Sequence, residues 1–239
     1  MFEFLKDIKE LEDVESVEKI NKGYSKDEKF KIKLKNKSGY LLLRLSDISL
    51  YEQKKEEYEV ISKFSKLGFE MSKPISFGIC NGKKNVYMLL SWINGVDLSE
   101  ALPKLSIEEQ YLLGRKAGRI LKAIHSLKVE DKNFDDRLKI KLLDKIEKYE
   151  SSDVRVENDN NFIEYVKRNV DKICGNYSYL HGDFHPSNLI LMENNEIGVI
   201  DFNRWEIFDS YEEFYKLESF GIEFSIPYCV GQIDSYFED

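Results

Sequence analysis

The sequence predicts an α+β protein. Strands with one helix fill the first third, and helices dominate the rest around a single β-hairpin. Three observations carry this. Phe30–Lys35, Tyr40–Leu45 and Val86–Leu90 are short apolar or alternating runs bounded by turn-forming residues. Leu50–Leu67, Ser106–Leu127, Leu138–Tyr149 and Phe162–Ile173 repeat their apolar residues at helical spacing. Leu189–Met192 and Ile197–Ile200 flank Glu193-Asn194-Asn195-Glu196 as the two arms of a hairpin flank its turn.

In chain order, Phe4, Leu5, Ile8, Leu11 and Val14 recur at roughly helical spacing, so an opening helix is expected over residues 3–19. Residues 20–27 read as a turn between strands. Phe30–Lys35 alternates, Asn36-Lys37-Ser38-Gly39 turns, and Tyr40–Leu45 is an apolar strand with one charge, Arg44. A charge there is costly unless paired. The next helix carries Tyr58, Ile61, Phe64 and Leu67 on its apolar face and ends at Gly68. Glu57 borders that face and is the expected partner of Arg44, with the adjacent Glu56 as the alternative. Pro74–Gly78 opens a second strand pair that turns at Asn81-Gly82 and closes with Val86–Leu90. Ser106-Ile107-Glu108-Glu109 is a capping box. It starts a helix expected to turn Leu112, Ile120, Leu121, Ile124 and Leu127 inward, with His125 packed or satisfying the helix end.

A chain of 239 residues can bury a substantial core as one domain or two lobes. At 42% hydrophobic and 33% charged with both signs mixed, it is globular rather than disordered. No run approaches membrane-spanning length and the N-terminus lacks an apolar leader core, so no membrane partner is expected. Cys80, Cys174 and Cys229 are odd in number and lack metal-like spacing, which points to reduced thiols and a cytoplasmic location. The net charge of −8 comes from residues 91–239, since residues 1–90 are slightly basic. An acidic second half disfavours nucleic acid and suits a cationic ligand.

The most informative stretch is 178–203, where Asp183, Asn188 and Asp201 sit in a hydrophobic frame. The hairpin folds the chain back, so Asn188 at its start and Asp201 at its end should lie side by side, with Asp183 delivered by the preceding loop. Two carboxylates and an amide oxygen suit a hard divalent cation such as Mg²⁺. A carboxylate five residues before the Asn is placed to orient a hydroxyl, as phosphoryl transfer requires. Gly182-Asp183-Phe184-His185 also spells the Gly-Asp-x-His of metallophosphoesterases. That chemistry needs further ligands, and the chain has only His125, His181 and His185 and no Gly-Asn-His.

His181-Gly182-Asp183-Phe184-His185-Pro186-Ser187-Asn188, followed by Val199-Ile200-Asp201-Phe202, resembles the catalytic loop and metal-binding strand of the aminoglycoside phosphotransferase and choline kinase-like family of small-molecule kinases. The resemblance covers nearly the whole chain, although family members usually continue past this length through helices that complete the acceptor site. It implies a two-lobed protein-kinase-like fold: residues 1–90 a nucleotide-binding lobe, 91–98 a hinge, and 99–239 a lobe carrying the catalytic loop and acceptor site. It implies Asp183 as the catalytic residue and Asn188 and Asp201 as Mg²⁺ ligands. Gly23, Ser25, Arg44, Glu57, Ser91 and Ile93 are its nucleotide-binding positions. Arg44 stands where many kinase-like folds carry lysine. His181 is expected to brace the loop and His185 to lie near the metal.

Phe202-Asn203 and His-Gly-Asp replace the Phe-Gly and His-Arg-Asp of protein kinases, and no Ala-Pro-Glu follows, which points away from protein substrates. Asp209 resembles a structural acidic position, and Glu206, Glu212 and Glu213 are candidate contacts to substrate amines. The implied activity is transfer of the γ-phosphate of ATP or GTP to a hydroxyl of a small cationic substrate, aminoglycoside-like and conferring antibiotic resistance. Alternatives are a choline- or homoserine-type metabolic kinase, or a non-catalytic nucleotide-binding domain. A monomer is expected.

Overall fold

The computed structural model describes residues 3–21, 27–35, 37–129, 133–173, 175 and 177–238. Strands β1 (Val14–Ile20), β2 (Glu28–Leu34) and β3 (Tyr40–Asp47) are followed by helix α1 (Tyr51–Phe64) and the two-residue β4 (Glu70–Met71). β5 (Pro74–Cys80) and β6 (Asn85–Ser91) then complete an antiparallel sheet of order β1-β2-β3-β6-β5. Alternation sorts the faces of this sheet. Phe30, Ile32 and Leu34 are buried, while Lys29, Lys31 and Lys33 point to the other side and are half-buried.

The helix expected over residues 3–19 does not form. Glu3–Asp7 and Lys9–Leu11 are short tight turns, and 14–20 is β1. Leu5, Ile8 and Leu11 do bury, but against Phe30, Ile32 and Leu43 of the sheet. The β-branched Val14 and Val17 suit a strand, and the open edge of β2 offers pairing that local helical spacing cannot match.

Beyond β6 come β7 (Val96–Asp97), α2 (Leu98–Ala101), α3 (Ile107–His125), α4 (Phe134–Glu150), α5 (Asp159–Asn169) and β8 (Tyr177–Leu180). The hairpin β9 (Leu189–Leu191) and β10 (Ile197–Val199), then β11 (Glu206–Asp209) and α6 (Ile226–Phe237), finish the chain. The capping box forms in full, with Ser106 Oγ accepting from the Glu109 N–H and Glu109 accepting from the Ser106 N–H. The buried face of α3 is Leu113, Ala117, Leu121 and Ile124, and Leu112 is exposed, contrary to expectation. Close crossing with α6 sets that face. A Cβ at Gly114 would lie 2.0 Å from the Tyr228 carbonyl oxygen, so only glycine lets the two backbones meet.

Two pairings give the fold its shape. β4 runs parallel to β10, making a small sheet of order β4-β10-β9-β7, and β8 pairs antiparallel with β11. The hairpin is therefore stitched to the segment leaving α1 and to the segment following β6. One core runs without a break from Ile61 and Phe64 of α1 through Met88 and Leu90 to Leu189, Val199, Phe202 and α6. Among the described residues no helix is long and apolar enough to cross a membrane.

Candidate active site

The register Leu189↔Val199 closes the hairpin, and the Ile200 N–H donates to the Asn188 carbonyl at 3.1 Å. Asp201 thus emerges beside Asn188. Its backbone turns through the left-handed region at φ 63°, which Asp tolerates better than most residues. The preceding loop is equally constrained. Gly182 has φ +78°, and a Cβ there would meet the Arg204 carbonyl oxygen at 1.8 Å. His181 ties the two halves together: Nε2–H donates to the Ile200 carbonyl at 3.0 Å and Nδ1 accepts from the Asp183 N–H at 3.2 Å. Burial holds its imidazole below its ordinary pKa, favouring the neutral form this bridge needs.

Asn188 Nδ2 donates to the Asp183 carbonyl at 2.9 Å and to its Oδ2 at 3.1 Å. The other carboxylate oxygen of Asp183 accepts from Lys216 Nζ at 2.7 Å, with His185 Nε2 at 3.5 Å and Arg204 Nη1 at 3.6 Å. Burial by itself would raise the Asp183 carboxyl, but His185 and Lys216 outweigh it and hold the group well below the usual carboxylate range. Lys216 is 3% exposed, its ammonium 4.8 and 5.1 Å from the ring centres of Tyr215 and Phe220. With Nδ2 committed to Asp183, Asn188 Oδ1 accepts from no described residue. That oxygen and the Asp201 carboxylate belong to residues that line one cleft, and both are hard donors of the kind that suits Mg²⁺ completed by water. Among the described residues no group of three or more His, Cys, Asp or Glu is arranged to hold a metal, so an all-protein cage is not the fit.

Arg44 pairs with Glu57 (Nη1 to Oε1, 2.6 Å), and Glu56 lies exposed. Asp27 accepts from Arg44 Nε at 3.0 Å and Nη2 at 2.5 Å, from Lys54 Nζ at 2.8 Å, and from Ser46 Oγ at 2.7 Å. Lys54 also reaches Glu57 at 3.1 Å. Burial opposes both charges, but the partners prevail. Asp27 is lowered from 3.8 to about 2, and Glu57 with Asp27 pushes the Arg44 guanidinium further up. A buried cation on β3 needed a carboxylate, and here it has two.

These groups meet in a cleft of about 1010 Å³ between the five-stranded sheet and the hairpin. Asp183, Asn188, Asp201, Arg44 and Ile93 line it, and Glu57 lies behind Arg44. Ser91 does not line it: its N–H donates to the Lys73 carbonyl and its Oγ accepts from the Lys73 N–H, both at 2.8 Å. The Trp92 N–H goes to the Tyr40 carbonyl at 3.2 Å. The Ile93 N–H has no partner among the described residues, and its side chain packs where a Cβ on Gly198 would come within 2.7 Å. Gly23 and Ser25 lie outside the described residues. The cleft also takes in Lys29, directly opposite Arg44 in the β2–β3 register and 3.6 Å from Asp201.

The sequence matches the model of the phosphotransferase enzyme family, APH, over residues 16–239. The chain belongs to that family. Its fold is that of aminoglycoside phosphotransferase APH(2'')-Ib in its ADP-bound form (TM-score 0.71, 18% identity, 98% of this chain and 81% of the other). It also matches the streptomycin–ATP–APH(2'')-IIa ternary complex (TM-score 0.70, 18% identity, 99% and 82%). Choline kinase LicA from Streptococcus pneumoniae is similar as well (TM-score 0.64, 17% identity, 98% and 79%). Comparison with curated proteins by sequence gave no match.

In this phosphotransferase Glu213 is not a surface contact for amines. It is 3% exposed and accepts from the His181 N–H at 3.0 Å and the Phe184 N–H at 3.2 Å, with His125 Nε2 at 3.0 Å. His125 in turn meets the Tyr236 hydroxyl at 2.9 Å, so the helix histidine is packed, as expected. The carboxylate joins α3, α6 and the backbone of the loop from His181 to Phe184. Asp209 caps the following turn through the Tyr211 N–H, a structural role. Glu206 and Glu212 are exposed. Lys216 had no sequence signal, being 33 residues from Asp183 in a segment without periodicity. Lys29 had one, the alternation of β2 opposite Arg44.

Proposed function

We propose that this phosphotransferase is a kinase that moves the γ-phosphate of ATP or GTP to a hydroxyl of a small amine-bearing acceptor, aminoglycoside-like. The observation that carries the reading is the meeting of Asp183, Asn188, Asp201 and Arg44 in one cleft. Structures with the same fold are described with ADP, with streptomycin and ATP, and with gentamicin, which supports a nucleotide donor and an amine-bearing acceptor. In this reading residues 1–90 form the nucleotide-side lobe, 91–98 the hinge, and 99–239 the acceptor side.

The purine lies against the apolar side chains of Leu42, Leu90 and Ile190, with the free Ile93 N–H at its edge, while Ser91, tied to Lys73, stays outside the cleft. Gly23 and Ser25, outside the described residues, are the remaining proposed phosphate contacts. Arg44, held by Glu57, steadies the α- and β-phosphates. Asn188 and Asp201 would hold Mg²⁺, which when bound would neutralise charge on the transferring phosphoryl group. Asp183 accepts the O–H of the acceptor. Lys216 and Asn188 fix its carboxylate in place, and its depressed pKa makes it a weak base, so its contribution is to aim the hydroxyl rather than to ionise it beforehand.

A choline- or homoserine-type metabolic kinase is the second reading, supported by the likeness to choline kinase LicA. The complete Asp183, Asn188 and Asp201 set stands against a non-catalytic nucleotide-binding domain. The test is consumption of ATP or GTP in the presence of amino sugars, choline or homoserine, with and without Mg²⁺. Mg²⁺-dependent turnover with an amino sugar supports the first reading, and turnover with choline or homoserine alone supports the second. Nucleotide binding without turnover across the panel overturns both. Reduced aminoglycoside susceptibility of cells producing the chain, lost with Asp183→Ala, would extend the first reading to resistance.

A further inference from the structure

We propose that Lys29 is a second phosphate-binding cation of the cleft, adding a loosely held positive charge beside Arg44, whose own charge is balanced by its carboxylates. The inference rests on the kinase reading. Lys29 and Arg44 are direct cross-strand neighbours on β2 and β3, and both line the cleft. Their surroundings differ. Arg44 directs Nε and Nη2 to Asp27 and Nη1 to Glu57, all within 3.0 Å, and Lys54 completes the group. Two cations and two carboxylates leave that cluster neutral as a whole and hold the guanidinium rigidly. A nucleotide di- or triphosphate carries more negative charge than this neutral cluster offsets.

Lys29 supplies a further positive charge. Its one described partner is Asp201, with Nζ 3.6 Å from Oδ2, longer than a hydrogen bond, and its side chain is 14% exposed. The next two lysines on the same face are differently engaged. The Lys31 ammonium lies over the rings of Tyr40 and Trp92 at 4.2 and 4.7 Å, and that of Lys33 over Tyr40 at 5.2 Å. Lys29 therefore stands at the phosphate end of the face, on a flexible stem, able to exchange a loose contact with Asp201 for a phosphate oxygen. The same exchange leaves the Asp201 carboxylate available to a cation.

The test is calorimetric binding of ADP, GDP, adenosine and guanosine to the full chain and to Lys29→Met and Lys29→Arg, in excess EDTA and again in Mg²⁺. A charge-assisted contact of this kind predicts that Lys29→Met binds the nucleoside diphosphate about tenfold to a hundredfold more weakly in EDTA. Nucleoside affinity should stay unchanged, and Lys29→Arg should recover most of the loss. Diphosphate binding by Lys29→Met at wild-type strength overturns the inference and leaves the kinase reading intact. So does an equal loss for nucleoside and diphosphate, which marks a structural effect. A wild-type chain that binds no nucleotide overturns the kinase reading and the inference with it.

Discussion

Replacing Asp27 with asparagine removes one charge from the buried cluster while keeping the side chain's shape. Asp27 Oδ2 accepts three donors from two cations, and Oδ1 accepts Ser46. An amide can keep its oxygen toward Arg44 and Lys54 by donating its NH₂ to Ser46 Oγ, but it brings no charge to either cation. Arg44 and Lys54 would then share the counter-charge of Glu57 alone, and breaking a buried pair in this way costs about 3–5 kcal/mol. Part of that cost titrates. The folded pKa of Asp27 is about 2 against an ordinary 3.8, and at about 1.4 kcal/mol per pH unit the charged form contributes about 2 kcal/mol. With the side chain 3% exposed, solvent screening takes little from that figure.

The sign follows from the direction. The pKa is depressed on folding, so the contribution is complete above pH 3.8 and is lost as the pH falls through 2. Urea unfolding followed by circular dichroism at pH 7, 4, 3 and 2 measures both parts. Asp27→Asn should be about 3–5 kcal/mol less stable at pH 7, and the gap should narrow by about 2 kcal/mol between pH 4 and pH 2. Carboxylates away from the cluster see the same surroundings in both chains and cancel in the difference. A variant within about 1 kcal/mol of wild type at pH 7, or a gap indifferent to pH, would refute the cluster's energetic role.

Asp183→Ala should abolish turnover while nucleotide affinity changes less than about threefold, because the residue orients the acceptor hydroxyl and not the donor; calorimetry beside a coupled kinase assay decides it. Lys216→Met should lower kcat by about a hundredfold with the nucleotide KM unchanged, and Lys216→Arg should restore part of it, since the buried ammonium aims the Asp183 carboxylate. A parallel rise in KM would contradict that role. Gly114→Ala should lower the thermal midpoint by several degrees, the added methyl forcing α3 from α6 at a cost of about 1–3 kcal/mol. An unchanged midpoint would show that the crossing relaxes freely.

The hairpin, the Asn188–Asp201 proximity and the Arg44–Glu57 pairing were legible in the chain because each depends on local spacing or on one costly buried charge. Two apolar arms around a turn dictate a hairpin, and a cation inside Leu41–Leu45 demands a carboxylate on the next helix. The helix expected over residues 3–19 failed where local spacing met a stronger non-local claim, the free edge of β2. The placement of Leu112 failed for a related reason. Helical spacing identifies an apolar stripe, but the closeness of α6 at Gly114 decides which part of it faces inward.

What the sequence determined by itself was therefore a set of short-range facts: the elements, the motif from His181 to Asp201, and the need of Arg44 for a counter-charge. Only the tertiary structure decided that β4 would clasp the hairpin, that Lys29 would stand beside Asp201, and that Lys216 would reach back to Asp183. Pairings of two residues and ion pairs across 33 or more positions leave no periodic trace. They are chosen by what the packed core brings within a few ångströms, and the chain's local pattern does not encode that distance.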